Sequence, residues 1–329
     1  METSEETELC FPLLGNTSCV KSKHTDFNAM LIYILVYIVS LLTTFLNLLV
    51  IISVSHFKQL HTPTNLLILS LAVSDSLLGL LLLFQIIHID GCWFLGDLVC
   101  ALYHYVAYIA SASSIGVMVL ICVDRYVAIC DPLQYSTKVT QRRVKICLCL
   151  CWICSVIFHS LILMDILEQP GRYKSCLGEC TFVFNHISKV LNATFSFIAP
   201  ITVVVVLYTR VFVVAVSQAR ALRSHIAVVT LQGSVKVSAK KSEIKAARTL
   251  GIVVLTFIIC FCPYHIISLT GHNNLLSGSS GTYIVCFYNF NACLNPVIYA
   301  LFYPWFRKSV KLIVTLKILH PGTCDTNIL

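Results

Sequence analysis

Residues 98–126 read LVCALYHYVAYIASASSIGVMVLICVDRY, an apolar run that ends in Asp124-Arg125-Tyr126. A helix that crosses the hydrocarbon core of a bilayer needs roughly 20 mostly apolar residues. This run exceeds that length, and its charged triplet falls where such a helix would leave the lipid. We therefore predict a transmembrane helix with an acid and a base at one membrane surface.

The same pattern recurs along the chain. Hydrophobic residues make up 57% of the 329 residues and charged residues only 12%, whereas soluble domains carry roughly 25% charged residues. We predict an all-α integral membrane protein, a seven-transmembrane helix bundle that forms a single domain over residues 1–329. The predicted spans are residues 29–54, 64–88, 98–123, 146–165, 190–214, 246–270 and 281–303.

The distribution of basic residues predicts the orientation. Lys and Arg concentrate after the first, third, fifth and seventh spans, for example at Lys58, Arg143, Lys241 and Arg307, and such loops stay on the cytoplasmic side. Residues 1–28 are then extracellular, and we expect a multi-pass protein of the plasma membrane. The net charge of +8 reflects loops that face membrane lipid, so no nucleic-acid partner is expected.

The segment after the seventh span predicts a short amphipathic eighth helix over residues 304–319. Apolar residues such as Val310 and Ile313 recur at helical spacing and basic residues occupy the other face, which is typical of a helix on the membrane surface. Residues 320–329 form the predicted tail. Cys324 in that tail is either a palmitoylation site or a free thiol.

Two features of the predicted extracellular side point to secretory-pathway chemistry. Asn16-Thr17-Ser18 matches a glycosylation acceptor, so Asn16 is a candidate site. Oxidising conditions there permit disulfides, and the cysteines placed outside are Cys10, Cys19, Cys92, Cys100, Cys176 and Cys180.

Asp75 falls in the middle of the second span. An ionisable side chain at that depth is costly, so it should face a hydrated interior. Ser114, Asn291 and Asn295 fall at similar depth in other spans, and a carboxylate with hydroxyl and amide oxygens suits a small hard cation. We predict a sodium site, with a neutral hydrogen-bonded polar cluster as the alternative. No other cofactor is expected.

Arg125 and Glu243 lie at the cytoplasmic ends of the third and sixth spans. Their pairing would form a latch that breaks when the helices separate. A static salt bridge is the alternative, and such pairs contribute little in water. Pro263, Pro200 and Pro296 interrupt the hydrogen-bond ladders of the sixth, fifth and seventh spans and should bend them.

Several of these motifs together resemble the rhodopsin-like (class A) G protein-coupled receptors, and the resemblance covers the whole chain. The seventh span and its continuation, NACLNPVIYALFYPWF from Asn291 to Phe306, are most similar to the trace amine-associated receptors. The motifs that carry the resemblance are Asn47, Leu71-Ala72-Val73-Ser74-Asp75, Asp124-Arg125-Tyr126, Trp152, Pro200 with Tyr208, Cys260-Phe261-Cys262-Pro263 and Asn295-Pro296-Val297-Ile298-Tyr299.

The resemblance implies partners and roles. A small extracellular ligand would activate a heterotrimeric G protein of the stimulatory or olfactory type, and most members of the subfamily are olfactory receptors for volatile amines. Cys100 would bond to Cys180, and Cys19 to Cys176. The implied activation switch comprises Asp124, Arg125, Tyr126, Tyr208, Glu243, Pro263, Asn295, Pro296 and Tyr299.

The chain departs from the family pattern at the amine site. Ala107 replaces the Asp that anchors the ammonium group, Asn289 replaces the supporting Tyr, and Asn192 stands where some fish members place an Asp. A buried ammonium without a carboxylate loses several kcal/mol of solvation, so we expect a non-amine ligand or an atypically bound amine. The predicted ligand-binding residues are Asp90, His104, Ala107, Tyr108, Ser111, Glu179, Asn192, Ser196, Phe261, Tyr264, His265 and Asn289.

Other classes of protein fit less well. A transporter or channel predicts paired broken helices or a polar file through the membrane, and the sequence suggests neither. A retinal-based light sensor needs a Lys in the seventh span, where residues 281–303 contain none. The scattered acids and histidines lack the spacing of a catalytic site, so we do not expect an enzyme.

Overall fold

The computed structural model describes residues 8–20, 27–89, 92–167, 176–180, 186–226, 234–270, 278–320 and 322–328. Seven helices in these ranges are long and apolar enough to cross a membrane. Helix formation satisfies every backbone group within the segment, which lipid requires because it offers no hydrogen bonds. In chain order the helices are α1 (Phe27–His56), α2 (Pro63–Leu82), α3 (Gly96–Cys130), α4 (Gln141–Leu167), α5 (His186–Ala193, Thr194–Ile198 and Ala199–Ile226), α6 (Ser234–Thr270) and α7 (Gly278–Phe302).

The seven-transmembrane prediction is confirmed, but several helices extend beyond their predicted spans, and α5 continues to Ile226 instead of residue 214. Helix α3 continues to Cys130 instead of residue 123, and α6 begins at Ser234 instead of residue 246. Hydropathy marks only the part of a helix that lies in lipid. Of the twelve residues 234–245 in this extension, four are Lys, one is Ala and one is Glu, and all three residue types favour a helix in water.

Helices α2 and α5 contain local irregularities. After Leu82 the chain makes a turn and resumes as a short helix, Phe84–Ile89. In α5 the turn Thr194–Ile198 is π-helical and immediately precedes the segment containing Pro200. Proline lacks an N–H and its ring clashes with the carbonyl four residues earlier, and a wider turn accommodates both effects. Helices α6 and α7 continue through Pro263 and Pro296.

Small and polar residues allow close approach between helices. Asn47 of α1 donates from Nδ2 to the Ala292 carbonyl of α7 (3.0 Å), and the Trp152 indole of α4 donates to Ser70 Oγ of α2 (3.0 Å). A Cβ at Gly79 would lie 2.6 Å from Thr44 Oγ1, so α1 and α2 meet at this glycine. These contacts are typical of helix packing in membranes.

Three disulfides gather at one end of the bundle, which we call the disulfide end. Two of them, Cys100–Cys180 and Cys19–Cys176, are the pairs implied by the family resemblance. The third, Cys10–Cys92, was not predicted. The opposite end, where Arg125 lies, we call the arginine end.

The N-terminal segment packs against the connection that follows α4. Residues Leu9 and Val20 form an antiparallel bridge, and the Leu177 amide donates to the Thr17 carbonyl (2.8 Å). Gly178 adopts a φ of +101° with the Phe11 ring only 3.1 Å from the site of a Cβ, so a larger residue would be strained and crowded there. Backbone bonds thus supplement the disulfides at this end.

The amphipathic eighth helix, α8, is present but shorter than predicted. It covers Pro304–Val314 instead of residues 304–319, with Trp305 and Phe306 buried on its apolar face. Leu316 has a φ of +55°, a left-handed conformation that cannot continue an α-helix. Two short 3-10 turns, Lys317–Leu319 and Thr323–Asp325, follow among the described residues.

The tail folds back on the bundle, which the sequence did not reveal. Ile328 is 1% exposed and packs in an apolar cluster with Phe57 and Leu60, beside the connection between α1 and α2. Asp325 pairs with Lys58 (3.1 Å), and this interaction lowers the pKa of the Asp325 carboxyl group. Since the ion pair is exposed, burial of Ile328 contributes more to docking than the charges do.

Replacing Ile328 by Ala should release the tail. Truncating a buried isoleucine costs about 2 kcal/mol or more, which exceeds what an exposed ion pair can offset. Hydrogen–deuterium exchange of the turn Lys58–Leu60, against which the tail packs, should then accelerate. Leu319→Ala is the matched control, because Leu319 is 77% exposed. Equal exchange rates in both variants would contradict the docked tail.

Candidate functional site

A cavity of about 160 Å³ opens in the bundle towards the disulfide end. It lies between α2, α3, α6 and α7, so four separate helices fix its walls. The lining residues are Leu78, Leu81, Leu82, Gln85, Tyr103, His104, Ala107, Tyr108, Ser111, Tyr264, Val285, Tyr288 and Asn289.

Uncharged polar groups dominate the chemistry of the cavity. The Tyr103 hydroxyl donates to Gln85 Oε1 (3.2 Å), and the hydroxyls of Tyr108 and Tyr264 are hydrogen-bonded to each other. None of the described residues that line the cavity is an Asp or a Glu. The described wall of the cavity can therefore exchange hydrogen bonds with a small ligand, and it presents no carboxylate to an ammonium group.

Six predicted ligand-binding residues line this cavity, and they come from three helices. They are His104, Ala107, Tyr108, Ser111, Tyr264 and Asn289. Ala107, at the position of the missing anchor, therefore lies on the cavity wall. Asn289 donates from Nδ2 to the Val285 carbonyl of its own helix (2.8 Å), which leaves its side-chain oxygen as an acceptor.

The remaining predicted residues lie elsewhere. Asn192 accepts a hydrogen bond from Ser196 within α5 (3.1 Å), and His265 stacks on Phe197 at 4.3 Å between ring centroids. Phe261 is 2% exposed and packs beneath the cavity. Glu179 is partly exposed beside Cys180, outside the cavity lining. Asp90 lies outside the described residues.

Sequence reasoning missed the α2 wall and parts of α3 and α7. Those residues are Leu78, Leu81, Leu82, Gln85, Tyr103, Val285 and Tyr288. The sequence does contain a pattern that could have identified the α2 wall, since positions 78, 81, 82 and 85 follow the i, i+3, i+4, i+7 spacing of one helix face. What the sequence could not supply is the rotation of α2 that turns this face towards α3 and α7.

Aromatic rings connect the cavity with the helix interior. Tyr288 in the cavity wall contacts Phe261 of α6 with 4.3 Å between ring centroids, and Phe261 stacks on Phe257 at 4.4 Å. Tyr264 contacts Tyr288 at 5.2 Å. Because interiors are close-packed, a ligand that displaces Tyr288 must also displace Phe261.

Below the cavity, Asp75 links three helices. Its side chain is fully buried, and it accepts hydrogen bonds from Ser114 of α3 (3.0 Å) and from Asn295 Nδ2 of α7 (2.7 Å). The Oδ1 atoms of Asn291 and Asn295 are buried and accept no hydrogen bond. Carboxylate and amide oxygens are the types of ligand that a small hard cation prefers.

At the arginine end, the Arg125 side chain is hydrogen-bonded to the adjacent Asp124 and to Thr64. Its Nε donates to Asp124 Oδ2 (2.9 Å) and its Nη2 to Thr64 Oγ1 of α2 (2.6 Å), and Nη2 also contacts Asp124. The Tyr135 hydroxyl donates to Asp124 Oδ1 (2.8 Å). Since the side chain of Glu243 lies outside the described residues, the predicted latch to α6 stays a prediction.

Of the other predicted switch residues, Tyr126 and Tyr299 lie near Arg125, whereas Asn295 binds Asp75 below the ligand cavity. Tyr299 and Tyr303 line a small cavity of about 20 Å³ together with Arg125. Tyr126 packs against Val211 of α5. Arg125, Tyr299 and Tyr303 therefore lie around one small cavity at the arginine end, and Tyr126 lies in the contact between α3 and α5.

Tyr208 of α5 closes against α6 at a glycine. A Cβ built on Gly251 would lie 1.8 Å from the Tyr208 hydroxyl oxygen and 2.6 Å from the ring carbon that carries it. Such distances are far inside van der Waals contact, so only glycine permits this position of the ring. The halves of α5 and α6 nearer the arginine end thus interlock through one tyrosine.

Comparison with known proteins agrees with this arrangement. Residues 46–299 match the model of the seven-transmembrane receptors of the rhodopsin family, a class of membrane-spanning signalling receptors that bind small molecules and act through G proteins. They are not enzymes.

Individual relatives narrow the assignment. Trace amine-associated receptor 13c of Danio rerio is 37% identical over 98% of this chain and 97% of its own length. Trace amine-associated receptor 6 of Pan troglodytes is 35% identical over 98% of this chain and 95% of its own length. Trace amine-associated receptor 8 of Homo sapiens is 35% identical over 96% of this chain and 95% of its own length. The chain belongs to the rhodopsin family of G protein-coupled receptors and, within it, to the trace amine-associated receptors.

Gly251→Ala should disturb the interlock between α5 and α6. The added methyl group cannot coexist with the present Tyr208 ring, so the variant should lose about 1–3 kcal/mol of stability. Thermal unfolding of the purified receptor measures this loss. A second measurement is ligand-independent signalling in cells, which should rise because α6 moves away from α5. Adding Tyr208→Ala removes the clash. Strict additivity of the two substitutions in a double-mutant cycle would refute the contact.

Proposed function

We propose that this chain is an odorant-type receptor of the plasma membrane that senses a small uncharged polar molecule and activates a G protein. Residues 1–329 act as one receptor domain, with the disulfide end outside the cell and the arginine end in the cytoplasm. The positive-inside bias supports this orientation, and the lack of Asp and Glu among the described lining residues supports the choice of ligand. Asn16 is the proposed glycosylation site on the outer side.

The ligand would bind among His104, Tyr108, Ser111, Tyr264 and Asn289. Hydroxyl and amide groups there can donate and accept hydrogen bonds, which selects for a molecule with matching polar groups. A protonated amine would bury its charge against neutral groups, an unfavourable exchange. An amine ligand would need an acid nearer the cavity mouth, and Asp90 and Glu179 are the candidates.

Activation would begin at Tyr288. A ligand that packs better when the Tyr288–Phe261 contact rearranges would favour a second position of α6, with Pro263 as the hinge. Only the difference in ligand affinity between the two positions drives the change. Movement of α6 would separate Gly251 from Tyr208 and open the arginine end.

The proposed partner at the arginine end is a heterotrimeric G protein of the stimulatory or olfactory type. Opening would expose Arg125, Tyr208 and Tyr299 to a helix of that partner. Glu243 is proposed to hold the closed position. Cys324, which is partly exposed and contacts Asp325 Oδ2 through its thiol (3.6 Å), is the proposed palmitoylation site.

A bound sodium ion is proposed to stabilise the closed position. Asp75, Ser114, Asn291 and Asn295 would hold it, and its charge would offset the burial of the Asp75 carboxylate. The ion would act as an allosteric ligand, since the carboxylate joins α2 to α3 and α7.

A transporter or channel remains the less favoured alternative. Alternating access requires two half-bundles that rock about a central site, whereas the family assignment favours signalling. A transported solute would also have to pass Asp75 and the closed aromatic contacts beneath the cavity.

The function is tested by cAMP accumulation in cells that carry the receptor at their surface. We expect at least one uncharged polar odorant from a chemically diverse panel to raise cAMP. Failure of every compound, despite surface expression and co-expressed chimeric G proteins of other types, would contradict the proposal. A response only to amines that disappears with Asp90→Asn or Glu179→Gln would overturn the ligand class but not the signalling role.

Restoring the family's anchor should change the ligand class. The double variant Ala107→Asp with Asn289→Tyr should gain about tenfold to hundredfold in potency for simple amines, since a charge-assisted hydrogen bond contributes about 1.5–3 kcal/mol. The matched control is Ala107→Asn with Asn289→Tyr, which has similar volume but no charge. The same amine response in both variants and the wild type would show that the absent carboxylate does not decide specificity.

Sodium should raise the thermal stability of the receptor. A ligand at ten times its dissociation constant stabilises the folded state by about 1.4 kcal/mol. Replacing choline chloride with sodium chloride at constant ionic strength should therefore raise the midpoint temperature of thermal unfolding for the wild type but not for Asp75→Asn. A rise of equal size in Asp75→Asn would assign the effect to general salt.

A further inference from the structure

A groove at the arginine end faces away from the ligand cavity. It has a volume of about 480 Å³ and lies between α1, α7 and α8. Its described lining is apolar, for example Leu46, Val297 and Val314, except for Arg307 and Lys311 of α8. An apolar trough with two cations at its rim is not a feature that the signalling mechanism uses.

Arg307 is fixed at the rim by the end of α7. Its Nη1 donates to the carbonyls of Ala300 (2.8 Å) and Leu301 (3.1 Å). A guanidinium has five N–H groups, so the Nε and Nη2 hydrogens remain to donate outward. Lys311 lies one helical turn further along α8 on the same face, and its ammonium group adds a second positive charge.

The place of the groove identifies the chemistry of its occupant. Both α1 and α7 are membrane-spanning helices, so the groove between them opens towards the lipid. The apolar groups available to fill it there are lipid acyl chains. α8 follows α7 at the membrane surface, the depth of phospholipid head groups. The described lining carries two cations and no acid, which favours a head group with net negative charge.

We propose that the groove between α1, α7 and α8 binds one phospholipid with an anionic head group. The acyl chain packs along Leu46, Val297 and Val314, and the phosphate accepts hydrogen bonds from Arg307 and Lys311. The bound lipid bridges α1 to α8. It thereby ties the position of α8 to the membrane that surrounds the bundle.

The test is native mass spectrometry of the full-length receptor in detergent, with phosphatidylserine or phosphatidylcholine added. Phosphatidylserine should bind more tightly, and Lys311→Gln should weaken its binding about fivefold, the effect of one basic side chain near an anionic surface. Lys308→Gln is the matched control, because it removes the same charge from the exposed part of α8 outside the groove. It should leave binding within twofold of the wild type, a margin of about 0.4 kcal/mol.

Ala300→Leu provides a second variant that acts through volume and leaves charge unchanged. The larger side chain should fill the groove and weaken phosphatidylserine binding, while agonist-stimulated cAMP in cells reports that the variant still folds. Equal losses in Lys308→Gln and Lys311→Gln would overturn the proposal in favour of diffuse surface attraction. Equal binding of the two lipids, or displacement of phosphatidylserine by a sterol irrespective of Lys311, would overturn it as well.

Discussion

A single carboxylate in the middle of the membrane determines how three helices meet. Asp75 is fully buried and takes hydrogen bonds from Ser114 and Asn295. Lipid offers no hydrogen bonds, so a polar side chain at this depth is tolerated only where other helices supply them. The convergence of α2, α3 and α7 on Asp75 fixes their rotation, and the walls of the ligand cavity above it follow from that rotation.

The two ends of the bundle are held by different kinds of interaction. Three disulfides and backbone hydrogen bonds tie the disulfide end. At the arginine end, by contrast, the helices are joined by Arg125, Thr64 and Asp124 and by the fit of Tyr208 against Gly251. Covalent links resist separation, whereas side-chain contacts can exchange for others at small net cost. Relative motion of the helices is therefore easier at the arginine end.

Aromatic contacts provide a route by which a neutral ligand could act on the arginine end. The contacts from Tyr288 through Phe261 to Phe257 are continuous, and close packing makes one ring move with the next. No charge need be transferred for this coupling. On the proposed ligand class, a ligand would have to favour one packing arrangement over another through its shape and its hydrogen bonds.

The sequence by itself determined the seven spans and the receptor family. Apolar runs of spanning length can only be helices in lipid, and motifs such as Asp124-Arg125-Tyr126 reside in local sequence. It also identified Ala107 and Asn289 as departures at the amine site. The spans rest on residue type and spacing, whereas the family and the departures at the amine site rest on the resemblance of local motifs to known receptors.

Only the tertiary structure decided which helix faces meet. It placed Leu78 and Tyr288 in the cavity and Asn192 outside it, because helix rotation depends on contacts such as Asp75 with Asn295, far apart in the chain. It also ended α8 at Val314 and buried Ile328 beside Phe57. Periodicity shows that a helix has an apolar face, but the partner of that face is chosen by packing across the whole bundle.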